Sequence, residues 1–167
     1  MSIDAAAEKH FRDLERMYHA SPINGVIPSR LKVWEGGAET HTRVGREYWH
    51  SAHSMHGSMY FKGLDDAAFF AANSVVREFF VLTARFEIEL LAIVTCEALR
   101  SVGFLERREG KKVWARAELY DDREQLVARG SGLFVVGRVA LTEATGYSSS
   151  PEGEPGAGGS SEDEMSS

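Results

Sequence analysis

Cysteine is nearly absent, since Cys96 is the only one in 167 residues. An internal disulfide is therefore excluded, a thiolate zinc cluster is excluded with it, and a reducing, cytoplasmic setting is the expectation. Long apolar runs are missing as well. Lys62, Asp65 and Asp66 interrupt the richest stretch, which stays short of the roughly 18 residues a membrane helix needs. The opening residues, Met1-Ser2-Ile3-Asp4-Ala5, lack the basic and apolar pattern of a secretory leader. A surplus of basic charge is lacking too. Of 25 acidic residues five lie in 146–167, leaving 20 against 19 Lys and Arg. A near-neutral body offers no phosphate-binding stripe, so neither nucleic acid nor membrane is expected as a partner.

What remains is an ordinary globular composition, 43% hydrophobic and 26% charged, at a length suited to one domain. Residues 1–145 are read as that domain. The Gly/Ser/Pro/Glu-rich stretch 146–167 has almost nothing to bury and is read as a disordered acidic tail. At the other end, Phe11, Leu14, Met17 and Tyr18 recur at helical spacing, which predicts a helix over about 4–20 with Asp4 as N-cap. Pro22, Asn24-Gly25 and Pro28 then predict a loop. Leu31 to Glu35 reads as a strand, Gly36-Gly37 as a hairpin turn, and Glu39 to Val44 as its partner.

A long apolar helix is predicted from Gly57 to about Val76. Its wheel groups Phe61, Leu64, Ala68, Ala71, Ala72 and Val75 on one face, with Asp65 at the edge of that face. Asp66 falls on the opposite side with Lys62 and Asn73, where a solvated or Lys62-paired charge is the simplest reading. Beyond the helix, Leu82, Ala84, Phe86, Ile88 and Leu90 alternate with polar neighbours. Further strands are read near Ile93 to Val102, Val113 to Leu119 and Leu126 to Val136, with Arg107 to Lys112 as a turn. Gly130 and Gly132 mark a bulge or a close approach. One long helix with an antiparallel, meandering sheet is an α+β architecture.

The chemistry sits at the start of the long helix. Met55-His56-Gly57-Ser58 is a small-residue turn feeding it, and a helix start presents unpaired N–H groups and the positive end of the macrodipole. Such a place can hold a carbonyl or a developing oxyanion. Asp65, further along the same helix, can serve as base or nucleophile. The pairing suggests acyl chemistry. Gly57 and Asp65 stand about 12 Å apart along the axis at roughly 1.5 Å per residue, too far to share one reacting carbon within a chain. A symmetric dimer removes that difficulty. His50, His53 and His56 lack a carboxylate or cysteine to complete a metal site, so no metal is expected.

The order of helix and strands resembles the hotdog fold, a curved antiparallel sheet wrapped around one central helix. The motif is similar to that of acyl-CoA thioesterases of the phenylacetic-acid-pathway and hydroxybenzoyl-CoA type, where a His-Gly-Gly turn opens the helix and an acid follows nine positions after the His. His56 and Asp65 have that spacing. Asn73-Ser74 at the helix end and the strand Ala128 to Val135 also fit, and the resemblance spans roughly Ser29 to Arg138. Three departures stand out. Ser58 replaces the second Gly, His50 occupies a place often held by Asn, and Phe69 stands where some members carry a hydroxyl residue.

The resemblance implies hydrolysis of an acyl-CoA thioester, with coenzyme A entering as part of the substrate and no separate cofactor. It implies Asp65, Gly57 and His56 as catalytic residues, and a homodimer or dimer of dimers with sites at the subunit interface. Ser58, His50 and Phe69 are candidate pocket residues, and Arg129 a candidate for the coenzyme A phosphates. Two other outcomes are open: a hotdog hydratase or dehydratase, and a non-catalytic acyl-CoA-binding protein.

Overall fold

The structure, a computed structural model, describes residues 4–147. The tail expected to be disordered lies, from Ser148 on, outside the described residues. Helix α1 (Ala5–Ala20) starts where the sequence predicts, with the Asp4 carboxylate accepting from the Ala6 N–H at 3.1 Å. The expected loop after it contains a short helix, α2 (Pro22–Val26), because Pro22 sits at a helix start, where its missing N–H costs nothing. Strands β1 (Ser29–Trp34) and β2 (Gly37–Arg43) form the predicted hairpin. A two-residue ribbon, β3 (Trp49–His50) with β4 (Ser54–Met55), leads into the long helix α3 (Gly57–Asn73). Then come β5 (Phe79–Leu90), β6 (Ala98–Glu109), β7 (Lys112–Tyr120) and β8 (Leu126–Ala140).

Six strands make one antiparallel sheet in the order β1-β2-β6-β7-β8-β5. Its inner face carries Val113, Ala115, Ala117, Leu119, Ala128 and Phe134, all buried, against the buried Leu64, Ala67, Ala68, Ala71 and Ala72 of α3. Small residues on the helix let it sink into the sheet. At Gly103 of β6 the approach is so close that a Cβ would stand 2.0 Å from the Ala67 carbonyl oxygen.

Three local readings of the sequence are corrected. Asn73, placed on the polar side of α3, is fully buried, because its amide donates to the Val76 carbonyl at 2.9 Å and its oxygen accepts from the Val81 N–H at 3.1 Å. It ties the end of α3 to the start of β5. Phe61, on the face read as apolar, is 41% exposed and packs ring to ring with Phe86 of the edge strand β5. The turn expected over Arg107 to Lys112 is tighter, since β6 runs to Glu109 and β7 begins at Lys112.

Strand β5 carries the fourth correction. Its alternation is broken by a bulge between Thr83 and Arg85. Before it Thr83 faces buried Phe134; after it Phe86, Ile88 and Leu90 lie opposite Gly132, Gly130 and Ala128. The inward parity switches from odd to even, as an inserted residue requires. Leu82 therefore leaves the face it shared on paper with Phe86 and stands exposed opposite Val135. The glycines of β8 are the close approach the sequence suggested: at Gly132 a Cβ would meet the Phe86 ring at 2.4 Å.

The two edges of the sheet differ. Along β1 the backbone is satisfied by α1: Glu15 accepts from the Val33 N–H at 2.7 Å, His19 from the Leu31 N–H at 3.2 Å, and Arg12 donates to the Val33 carbonyl at 2.8 Å. Along β5 no element of the described residues covers the outer edge. Phe61, Ile88, Leu90, Leu91 and Ile93 expose apolar surface there, Ile93 to 77%.

Candidate active site

The start of α3 is built as a donor site. His56 is the N-cap, and its Nδ1 accepts from the Ser58 N–H at 3.2 Å and lies 2.8 Å from the Ser58 hydroxyl. Both candidate side chains thus serve the turn itself, and the hydroxyl that replaces a second glycine completes the cap. The turn is pinned from behind, with the His56 N–H donating to Tyr48 O at 3.0 Å and the Met55 N–H to Val94 O at 3.0 Å. Tyr60 holds the same loop, donating to Ala92 O at 3.1 Å and accepting from the Val94 N–H at 2.8 Å. Gly57, the first helical residue, is left with an amide that has no hydrogen-bond partner among the described residues.

Gly57 faces a cavity of about 290 Å³ with His50, Ser54, Tyr60, Leu90 and Ile93. His50 does not point a free nitrogen into it, because Nδ1 accepts from the Ala52 N–H at 3.2 Å and Nε2 lies 2.9 Å from the Ser54 hydroxyl. Among the described residues no group of three His, Cys, Asp or Glu side chains is arranged to hold a metal.

Asp65 belongs to another cavity, about 440 Å³, walled by Met17, Ile23, Phe69, Phe70 and Phe80 and by the turn Ala144 to Gly146. The carboxylate is half-buried beside β5, and Thr83 Oγ1 donates to Oδ1 at 2.9 Å. Burial pushes its carboxyl up to about 6; the Thr83 bond opposes this, Asp66 adds to it, and Lys62 opposes it more weakly. Phe69 is a wall of this cavity, and Phe70 is another.

Asp66 also lines this cavity but is held by different partners from its neighbour. Lys62 Nζ stands 2.5 Å from Oδ2, one turn back, and the Tyr18 hydroxyl donates to the same oxygen at 2.8 Å. Lys62 also donates to Asn24 Oδ1 at 3.0 Å. The Lys62 pairing read from the wheel is present, but in a half-buried network with α1 and α2 rather than in open solvent.

Arg129 lines neither cavity. It forms an exposed ion pair with Glu89 at 2.6 Å and lines a shallow groove with Glu87, Glu106 and Glu118. Thr83 is the residue the sequence reading missed. Its only signal is a hydroxyl within the alternating strand β5, and the bulge next to it leaves no mark in the alternation.

No protein-family model matches the sequence. No curated protein matches it either. Solved structures do. PaaI from the phenylacetic acid degradation operon of E. coli superposes with a TM-score of 0.75 at 17% identity, covering 83% of this chain and 100% of its own. This is the hotdog fold. A protein from Shewanella oneidensis related to the thioesterase superfamily gives a TM-score of 0.72 at 15% identity, covering 81% and 100% of the two chains. A thioesterase family protein from Silicibacter pomeroyi gives 0.69 at 19%, covering 78% and 99%. In hotdog terms α3 is the central helix, and β5 is the free edge of the sheet.

Proposed function

We propose that the protein is an acyl-CoA thioesterase that works as a two-fold homodimer, with Asp65 of one subunit acting beside the Gly57 amide of the other. The observation that carries this reading is the pairing of Asp65 with an unspent amide in different cavities of one chain. A half-buried carboxylate held near neutrality suits a base or nucleophile. An unpaired N–H at a helix start suits a thioester oxyanion. Joining them requires a second chain, and the uncovered, apolar β5 edge beside both is the place where one would dock.

In the proposed reaction the thioester carbonyl accepts from the Gly57 N–H, and the bond to sulfur breaks after oxygen adds to the carbonyl carbon. Asp65 either removes a proton from the attacking water or attacks itself, giving a mixed anhydride that water opens. Either route consumes one water and yields acid and thiol. His56 and Ser58 hold the turn rather than exchange protons. Phe69, Phe70 and Phe80 would take the acyl group. Arg129 receives no role, because the carboxylates around it repel a phosphate.

A panel of short-chain, long-chain and aryl-CoA thioesters with thiol detection tests the reading. Thiol release that is lost in Asp65→Asn is the expected result. Water addition with the thioester intact would assign a hydratase instead, and binding without turnover a carrier.

A further inference from the structure

The chamber that holds Asp65 is closed on one side by a segment distant in sequence. After β8, Leu141 is buried and its N–H donates to Glu78 O at 3.0 Å. A single turn follows over Glu143–Thr145, locked by Thr145 Oγ1, which donates to Thr142 O at 2.7 Å and accepts from Thr142 N–H at 3.2 Å. Gly146 then reverses the chain at φ 78°, and a Cβ there would stand 3.2 Å from Ala20 Cβ. Ala144, Thr145 and Gly146 face the same space as Asp65, Phe69 and Phe80.

Tyr147 fastens this turn. Its hydroxyl lies 2.6 Å from His10 Nδ1, its ring sits 5.7 Å from the imidazole, and Arg16 donates to its carbonyl at 3.3 Å. His10 is buried, with Nε2 3.0 Å from the Asn73 carbonyl at the end of α3. A carbonyl can only accept, so Nε2 carries the proton and Nδ1 accepts from the tyrosine. Burial lowers the His10 pKa, which favours the neutral ring this arrangement uses. One imidazole thus joins α1, α3 and the segment 142–147. No strand residue takes part in this fastening, and the chemistry assigned to Asp65 does not use it.

We propose that Tyr147, anchored on His10, is a latch that keeps residues 142–147 as a wall of the Asp65 chamber and thereby sets the length of acyl group accepted. The identity of the ligand rests on the thioesterase reading; the wall and its fastening rest on geometry. With the latch closed, a chamber of about 440 Å³ takes a compact apolar acyl group. With it released, the chamber opens past Ala20 and long unbranched chains enter.

Three variants test the latch: Tyr147→Ala, Tyr147→Phe, which keeps the ring and loses the hydroxyl, and Ala144→Phe, which thickens the wall. Two readouts are taken on acyl groups of rising length. One is kcat/KM on the CoA thioesters, and the other is calorimetric binding of the free carboxylic acids, which needs no turnover. The ratio of long-chain to short-chain preference should rise at least about tenfold in Tyr147→Ala, the scale on which an apolar pocket discriminates. Tyr147→Phe should move it the same way by less, and Ala144→Phe the opposite way. An unchanged length profile in Tyr147→Ala, with fast hydrogen exchange showing 142–147 released, overturns the latch. Acid binding that shifts with Tyr147 in a protein that releases no thiol supports the latch and removes the thioesterase reading. Should Tyr147→Ala fail to fold, a wild-type length profile in Ala144→Phe overturns the proposal by itself.

Discussion

Thr83 and Asp65 meet across the gap between strand β5 and helix α3, hydroxyl to carboxylate at 2.9 Å. The bond favours the anion, while burial favours the acid and prevails, leaving the carboxyl at about 6. If the anion is the working form, kcat/KM should rise with pH and level off above about 6. Thr83→Val removes the opposing bond, so the midpoint should move to higher pH. A pH–rate profile of both proteins checks it, and a midpoint that stays or falls in the variant contradicts the role given to Thr83.

Asp65→Asn should lower turnover by at least about 100-fold, the scale for losing a positioned base. Stability should change the other way. A carboxyl raised from 3.8 to about 6 in the folded state contributes stability below 3.8 that is lost as pH rises through about 6. The neutral amide avoids that loss, so the variant should melt higher than wild type above this window and similarly below it. Paired thermal melts across the range decide.

Asp66→Asn should show the reverse pattern, with turnover changed only a few-fold and stability reduced by about 1–3 kcal/mol. Lys62 is left half-buried without its counter-ion and Tyr18 with a weaker acceptor. Urea unfolding beside thiol-release kinetics separates the two neighbours. Equal rate losses at Asp65 and Asp66 would sink the assignment.

Gly57→Pro removes a single N–H. Proline suits the first helical position, so helix content and melting temperature should hold. Turnover should fall roughly 100- to 1,000-fold if that amide holds the oxyanion. Gly57→Ala is the control, because its Cβ would stand 3.7 Å from Leu90 Cδ1, an ordinary contact. Mixing Gly57→Pro with Asp65→Asn should restore part of the activity through hybrid dimers. No recovery after proven subunit exchange would rule out the shared site.

Ile88→Lys or Leu90→Lys places a charge on the uncovered edge of β5. Sedimentation should show wild type as a dimer or larger and the variants shifted to monomer, with turnover lost in step. A fully active monomer would end the dimer proposal.

The sequence carried most of this architecture. Spacing placed α1, the hairpin at Gly36-Gly37 and the helix after His56, because each has a strong local cause: a cap, a turn glycine, an apolar stripe. What stayed hidden depends on contacts distant in the chain. Asn73 looks polar until Val76 and Val81 claim its amide. Thr83 looks like one more polar strand residue until the bulge beside it leaves it on the α3 side, exposed but bonded to Asp65. Of the candidate site residues, Asp65 and Phe69 share one cavity, Gly57 and His50 another, while Arg129 stands apart in a third. Tyr147 falls in the stretch 146–167 that composition reads as a disordered acidic tail, and its partner His10 lies too far away in sequence for periodicity to join them.

The contact between Gly103 and the Ala67 carbonyl restricts how this protein can diversify. Where β6 passes α3 at Gly103 not even a methyl group fits on the strand, so the central helix cannot move inward there and the chamber cannot deepen in that direction. The opposite wall is made of the α1 end, α2 and the turn before Tyr147, none of which belongs to the sheet. Inherited changes in substrate range therefore have one permissive flank, and related chains with different tastes should differ there while keeping glycine at the buried contact.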